Sequence, residues 1–261
     1  MKRILVTNDD GIGSIGLRIL FNSVRSLGTV YVVAPEGPKS AVGLSLTLHK
    51  PLRVLHRIKY AERAWVVSGT PSDCIHIGIE KIIGRKPDLV LSGINLGDNT
   101  SIQVILASGT VGAAMQSAII GIPSIAFSTA IDDPDRLERS REYVRIMSRF
   151  VRRIVEWVLE NGMPEDVKLL NVNFPPKLSE DTKAMLTRPA LMRFKERIIE
   201  RRDPRGRPYY WIYGTVLDNP QPGTDVYAVW VENKISITPI SINLQAANTE
   251  FFKPLEKRLN E

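Results

Sequence analysis

Two adjacent carboxylates are the strongest chemical signal in this chain. Asp9 and Asp10 lie in Thr7-Asn8-Asp9-Asp10-Gly11, directly after Lys2-Arg3-Ile4-Leu5-Val6. That apolar run suits a central parallel strand buried on both faces. Side by side, the two acids repel each other, and each is costly to bury unpaired. A cation held between them relieves both penalties. The plain alternative is a solvated Asp-Gly turn with aspartate as a helix cap. The position favours the cation, because open α/β sheets bind ligands at the carboxyl ends of their strands.

Other polar groups fall at the ends of other candidate strands. Asn8 stands beside the acids, Ser40 lies in the loop after the second strand, and Asn95 and then Asn99 follow the strand at Leu89. All are oxygen donors, which suits a hard cation such as Mg²⁺ or Mn²⁺ with water completing the shell. His49, His56 and His76 sit at no zinc spacing. Ser108-Gly109-Thr110 opens a helix and has the outline of an anion site: free backbone N–H groups, a positive dipole end and two hydroxyls. A plain helix cap is the competing reading. A cation site and an anion site on one sheet edge together describe phosphoryl chemistry.

Three look-alikes fail on physical grounds. Gly11-Ile-Gly13-Ser-Ile-Gly16, with Glu36 beyond the second strand, fits a dinucleotide fingerprint. Asp9 and Asp10 would, however, point like charge at the pyrophosphate. A response-regulator receiver also pairs acids after its first strand, but it needs a phosphoacceptor aspartate where this chain has Ser92-Gly-Ile-Asn95. Phosphatases built on D-x-D need acids two apart.

The elements that must position these groups follow from periodicity. Ser14 caps a helix with Leu17, Leu20, Phe21, Val24 and Leu27 on one face, ended by Gly28. Strands are expected at 29–34, 64–68, 87–92, 124–128 and 169–173, the last of these closing the main sheet. Leu44–Leu48 and Leu52–Ile58 form a two-stranded excursion. Helices start at Thr70-Pro71 and run over 111–120 and from Asp133-Pro134 to about Leu159. Beyond Pro175-Pro176, residues 185 to 215 read as a hairpin turning at Asp203-Pro-Arg-Gly206; Ile235–Ile240 returns as a strand, and Asn248-Thr249 caps a terminal helix. The fold class is α/β: a doubly wound, mostly parallel, Rossmann-like three-layer sandwich with a C-terminal β-hairpin extension. The expected division is a catalytic core over 1–180, with a return segment over about 235–261, and a hairpin arm over 181–234 for oligomer contacts.

Composition narrows the class. With 43% hydrophobic and 24% charged residues, the chain has the balance of an ordinary globular protein able to bury a sizeable core. The net charge of +7 suits anionic partners without selecting one. Cys74 is the sole cysteine, so no intrachain disulfide forms, which with the absence of a signal-peptide pattern leads to the expectation of a cytoplasmic protein. Asn99 to Ile131 lacks charge, yet its glycines, Pro123 and many hydroxyl residues mark it as core and not a membrane span. Arg193, Lys195, Arg197, Arg201, Arg202, Arg205 and Arg207, beside Tyr209, Tyr210 and Trp211, give a nucleic-acid-binding alternative. The favoured reading is a charged hairpin whose aromatic residues pack into a partner subunit, with no nucleic-acid role.

Val6-Thr-Asn-Asp-Asp-Gly11, Ala34-Pro35…Ser40-x-x-Gly43, Ser68-Gly-Thr-Pro-x-Asp73-Cys74, Ser92-Gly-Ile-Asn-x-Gly-x-Asn99 and Ser108-Gly-Thr-Val-x-Ala-Ala114 occur in this order. Together with Ile235-Ser-Ile-Thr-Pro-Ile240 they resemble the SurE family of survival-protein nucleotidases. The resemblance implies a phosphatase for nucleoside 5′- and 3′-monophosphates, with short polyphosphate a further substrate in some members. It implies one divalent ion per subunit, Mg²⁺ or Mn²⁺, on Asp9, Asp10, Ser40 and Asn95. It places Asn8, Ser108, Gly109 and Thr110 around the phosphate, where Asn99 is expected as well, and the apolar arm leads to the expectation of a homodimer or homotetramer. The expected reaction is in-line attack of metal-activated water on phosphorus, with Asp9 or Asn8 orienting that water. Leu96, where many relatives have Arg, and Ala107, where many have His or Tyr, depart from the pattern and leave base preference and 3′ versus 5′ preference open.

Overall fold

The computed structural model describes residues 1–57, 61–244 and 249–260. The chain begins β1 (Arg3–Thr7), α1 (Ile15–Val24), β2 (Thr29–Pro35), β3 (Val54–His56), β4 (Ala64–Val67) and α2 (Pro71–Ile77), the last continued by a π-helical turn over Gly78–Ile83. Then come β5 (Leu89–Leu96), α3 (Ile102–Ala107), α4 (Gly109–Ile119), β6 (Ser124–Thr129), α5 (Pro134–Arg139), α6 (Arg141–Asn161) and β7 (Leu169–Phe174). The remainder is β8 (Ala184–Leu186), β9 (Phe194–Arg202), β10 (Pro208–Val216), α7 (Asp225–Trp230), β11 (Ile235–Ile240) and α8 (Lys253–Leu259).

The main sheet has the order β3-β4-β2-β1-β5-β6-β7-β11-β8. From β4 to β7 every neighbour pair is parallel, whereas β3 and β11 run antiparallel to β4 and β7. β1 therefore has β2 on one side and β5 on the other. The winding reverses there, opening a crevice outside the carboxyl ends of β1 and β5. Alternation along β1 supplies both layers. Ile4 and Val6 pack with Leu17 and Leu20 of α1 and Met147 and Val151 of α6. Leu5 faces the opposite way, onto Cys74 and Ile75 of α2 and Ala113 of α4. The expected doubly wound, three-layer fold is the observed one.

Caps form where residue types called for them. Ser14 accepts the Leu17 N–H (3.1 Å), and Thr70 and Asp73 make a reciprocal capping box behind Pro71. Several expected elements differ. Leu44–Leu48 is no strand, because Thr47 N–H donates to the Asp73 carboxylate (3.0 Å) and the Ser45 carbonyl accepts from the Thr70 hydroxyl (2.7 Å), both at the start of α2. Only Val54–His56 remains of the second excursion strand, and Ile58 lies outside the described residues. The expected helix from 133 to 159 is broken at Ser140, whose hydroxyl donates to the Arg136 carbonyl (2.7 Å). The main sheet does not end at β7: β11 and then β8 extend it. The 3₁₀ turn before α8 has no side-chain cap from Thr249, and Asn248 lies outside the described residues.

β9 and β10 form the expected hairpin, paired from Phe194↔Val216 to Arg202↔Pro208, with Asp203 accepting N–H groups of Arg205 and Arg207 in the turn. The register puts Tyr209, Trp211 and Tyr213 on one face with Arg201, Ile199 and Arg197. These rings are exposed, Trp211 at 63% and Tyr210, on the other face, at 59%. No helix among the described residues is long and apolar enough to cross a membrane.

Candidate active site

The site begins at the turn leaving β1. Asn8 is fully buried, and its amide nitrogen donates to the Gly11 carbonyl (3.1 Å) and the Ser14 hydroxyl (2.8 Å). Its Oδ1 accepts the Gly11 N–H (3.2 Å). Asn8 thus locks the turn that presents the two acids and does not itself line the cavity. The Asp9 carbonyl accepts the Lys39 N–H (2.7 Å), which draws the loop after β2 alongside and brings Ser40 to the acids.

Asp9 is buried, and its Oδ1 accepts the Thr110 hydroxyl. Burial holds its carboxyl above the usual range, against hydrogen bonds from Thr110 and nearby backbone N–H groups that pull it down. Gly109 is glycine for lack of room: a Cβ there would lie 2.8 Å from the Asp9 Cβ and 3.0 Å from its Oδ2. Asp10 is pushed up to about 6, first by desolvation and then by the charge of Asp9. Its Oδ2 is buried without a hydrogen-bond partner. An orphaned carboxylate oxygen beside a second buried acid is the signature of a missing positive charge.

Asn95 comes from the end of β5, where the register against β6 shifts between Ser92 and Asn95. Gly93 makes that bulge possible, with φ +128° and no space for a Cβ, which would meet the Phe127 carbonyl oxygen at 2.2 Å. The Asn95 amide nitrogen donates to the Gly97 carbonyl (2.7 Å), leaving Oδ1 as the atom it offers a ligand. Asn99 is buried in a polar network: its Nδ2 donates to Ser128 (2.8 Å), its N–H to Asn173 Oδ1 (2.7 Å), and its carbonyl accepts from Asn171 (2.8 Å). Ser108 ends α3 and caps α4, accepting the Val111 N–H (3.2 Å).

Asp9, Asp10, Ser40, Asn95, Asn99 and Ser108 line one cavity of about 220 Å³, closed by Ala41, Leu96, Val104 and Ala107. Asn8, Gly109 and Thr110 stand behind it, shaping the acids. No group of three or more His, Cys, Asp or Glu side chains that could hold a metal occurs among the described residues. A cation here would therefore draw on the Ser40 and Asn95 oxygens as well as the acids. That donor set, all oxygen and carrying two negative charges, fits a hard divalent ion, and the unpartnered Asp10 Oδ2 is where it would bind.

Sequence reasoning missed the groups that fix the loop over 97–101. Asp98 is buried in an ion pair with Arg193, which also donates to Thr100 (3.1 Å) and lies over the Trp230 ring at 4.6 Å. Asp225 accepts the N–H groups of Ser101 (2.8 Å) and Ala190 (2.9 Å). Arg193 is consequently no part of a basic strip; it anchors the root of the arm to the loop between Asn95 and Asn99. Only the period-two asparagines of β7 were visible as a hint, Asn171 and Asn173 in an apolar strand.

The profile of the family described as Survival protein SurE matches residues 4–196. A protein named 5′-nucleotidase SurE from Hyperthermus butylicus is 53% identical over 255 residues, covering 97% of this chain and 90% of that protein. One of the same name from Thermofilum pendens is 50% identical over 260 residues, covering 99% and 98%. The crystal structure of the SurE protein from Aquifex aeolicus superposes with a TM-score of 0.81 at 38% identity, covering 99% of this chain and 100% of that one.

The carboxylate pair makes a prediction for metal-stripped protein. A native Asp10 pKa raised from 3.8 to about 6 means the folded state holds a proton that the unfolded state has released. Stability should fall as pH rises through that window, and the loss is complete above about 6. Melting temperatures with chelator at pH 4.5 and 7.5 are expected to drop more in the parent than in Asp10→Asn. Equal drops would remove the desolvated acid from the account.

Proposed function

The chain belongs to the SurE family, and from that premise we propose that it is a metal-dependent phosphomonoesterase hydrolysing nucleoside 5′- and 3′-monophosphates to nucleoside and phosphate. The observation that carries the reading is the Asp9-Asp10 pair, buried at Asp9 and half-buried at Asp10, with one unpartnered oxygen, placed at the sheet's reversal point beside the N-terminus of α4. The names of its relatives, 5′-nucleotidase SurE, support the same substrate class.

In this reading Asp9, Asp10, Ser40 and Asn95 hold one divalent ion, Mg²⁺ or Mn²⁺. When bound, the ion neutralises charge on the phosphoryl group and acidifies water. The Ser108 hydroxyl, which lines the cavity at the positive end of α4, receives a phosphate oxygen, while the backbone N–H groups of Gly109 and Thr110 serve the Asp9 carboxylate. Thr110 donates to Asp9 and so fixes the carboxylate that orients the attacking water. Asn99, held by Ser128, Asn171 and Asn173, closes the far wall. No histidine lines the cavity, so the described lining offers no imidazole to protonate the leaving oxygen.

The assay is a panel of nucleoside monophosphates and short polyphosphate with Mg²⁺ or Mn²⁺ and with chelator. Phosphate release should require metal and fall by about 100-fold or more in Asp9→Asn and Asp10→Asn, the scale of losing an electrostatic contact to the transition state. Chelator-insensitive release would overturn the metal's role, and no release from any nucleotide would overturn the function.

The same reading places subunit contacts on the arm, in a homodimer or homotetramer. Trp211 and Ile212, at 63% and 77% exposure, sit on a two-stranded hairpin outside the main sheet, which is marginal alone in water. Light scattering at micromolar concentration should give at least twice the 29.2 kDa chain mass. A stable monomer would contradict this.

A further inference from the structure

The motif Ser68-Gly-Thr-Pro-x-Asp73 contributes no residue to the acid cavity, yet it grips the loop that supplies Ser40. It leads from β4 into α2, and the loop it meets is the one between β2 and β3. The Ser68 hydroxyl accepts the Arg53 N–H (2.8 Å), the Thr70 hydroxyl donates to the Ser45 carbonyl (2.7 Å), and Asp73 Oδ1 accepts the Thr47 N–H (3.0 Å). Among the described residues, the side chains that hydrogen-bond to this loop are those three.

The loop carries Ser40 to the acids on a strained turn. Ala41, the next residue, has φ +54°, and it lines the cavity beside Ser40. That left-handed conformation is unfavourable for a residue with a Cβ, so the turn keeps its shape only where its surroundings hold it. Backbone bonds pin its near side, from the Lys39 N–H to the Asp9 carbonyl (2.7 Å) and from the Gly43 N–H to the Ala107 carbonyl (2.9 Å). The returning chain is pinned at Ser45 and Thr47 by α2, and there the identity of the side chains decides the outcome.

Asp73 is the charged anchor. It is buried, and its second oxygen accepts the Thr70 N–H (2.8 Å). Burial would raise its carboxyl, but hydrogen bonds from Thr47 and Thr70 outweigh burial and hold the group below its ordinary value. The carboxylate therefore serves both N–H groups with charge-assisted bonds. An amide has one oxygen and turns an NH₂ group toward the other donor, so it cannot serve both.

We propose that Asp73 is a positioning residue for the cation site, holding the strained turn so that the Ser40 oxygen meets Asp9 and Asp10. The proposal rests on the metal reading of those acids and assigns part of the ion's affinity to a carboxylate outside the cavity. Partners that orient a metal ligand from behind typically carry about 10- to 100-fold in metal affinity.

The test is a double-mutant cycle, read by calorimetric titration of Mn²⁺ into metal-stripped parent, Asp73→Asn, Ser40→Ala and the double variant, each shown to be folded by its melting transition. Asp73→Asn should weaken Mn²⁺ binding by about tenfold or more. In the Ser40→Ala background the same change should weaken it no further, to within about twofold, because the oxygen it positions is gone. Parental affinity in Asp73→Asn would leave the carboxylate a helix cap alone and overturn the proposal, as would losses that multiply in the double variant. If Asp73→Asn does not fold, Thr70→Val runs the same cycle, since it removes the hydroxyl given to Ser45 and keeps the Asp73 charge. Binding should then weaken in Thr70→Val and recover in Thr70→Ser, and parental affinity in the first or no recovery in the second would overturn the proposal. Failure of the parent to bind Mn²⁺ would instead overturn the metal reading, which separates the two claims.

Discussion

Two negative charges held side by side and away from water govern this structure. Asp9 is buried and Asp10 largely so, and among the described residues no ammonium or guanidinium lines their cavity. Isolated buried carboxylates are costly, and adjacent ones more so, so the fold keeps here an interaction that favours a bound cation over the empty state. The pair also sits at the one place where a doubly wound sheet leaves its strand ends uncovered, between β1 and β5. Burial and access therefore meet at the same residues.

The surrounding residues hold this arrangement. Asn8 fixes the turn, Gly109 lets α4 approach within contact of Asp9, and Thr110 uses its hydroxyl on the carboxylate. On the opposite wall, Asn95 and Asn99 are set by a bulge in β5 and by hydrogen bonds from β6 and β7. The loop carrying them is tied to Arg193 and Asp225, from the segment that bears the arm. The arm is thereby joined at its root to the wall of the acid cavity.

Much of this was legible in the residues. Continuous aliphatic runs ending in polar residues identified β1, β2, β5 and β6, because a parallel strand buried on both faces shows no alternation. Ser14 and Thr70 announced their helices through caps whose chemistry is local. The acids, Ser40, Asn95 and Asn99 are marked by their position after strands and Ser108 by its position at a helix start, and the fold gathers them in one cavity. What was not legible depends on contacts distant in sequence. Arg193 reads as one more arginine in a basic stretch until Asp98, ninety-five residues earlier, is seen against it. The break at Ser140 turns on one hydroxyl choosing a carbonyl in the preceding turn, and β8 is too short for periodicity to mark. Asn8 has the type of a ligand, but its amide is taken up by Gly11 and Ser14.

Calorimetric titration of Mg²⁺ and Mn²⁺ into metal-stripped protein tests most directly whether Asp9 and Asp10 form a cation site. One ion per subunit is expected in the parent, with affinity weakened by about 100-fold or more in both Asp9→Asn and Asp10→Asn, because affinity of oxygen sites follows ligand charge. Binding of parental affinity in either variant would contradict the claim.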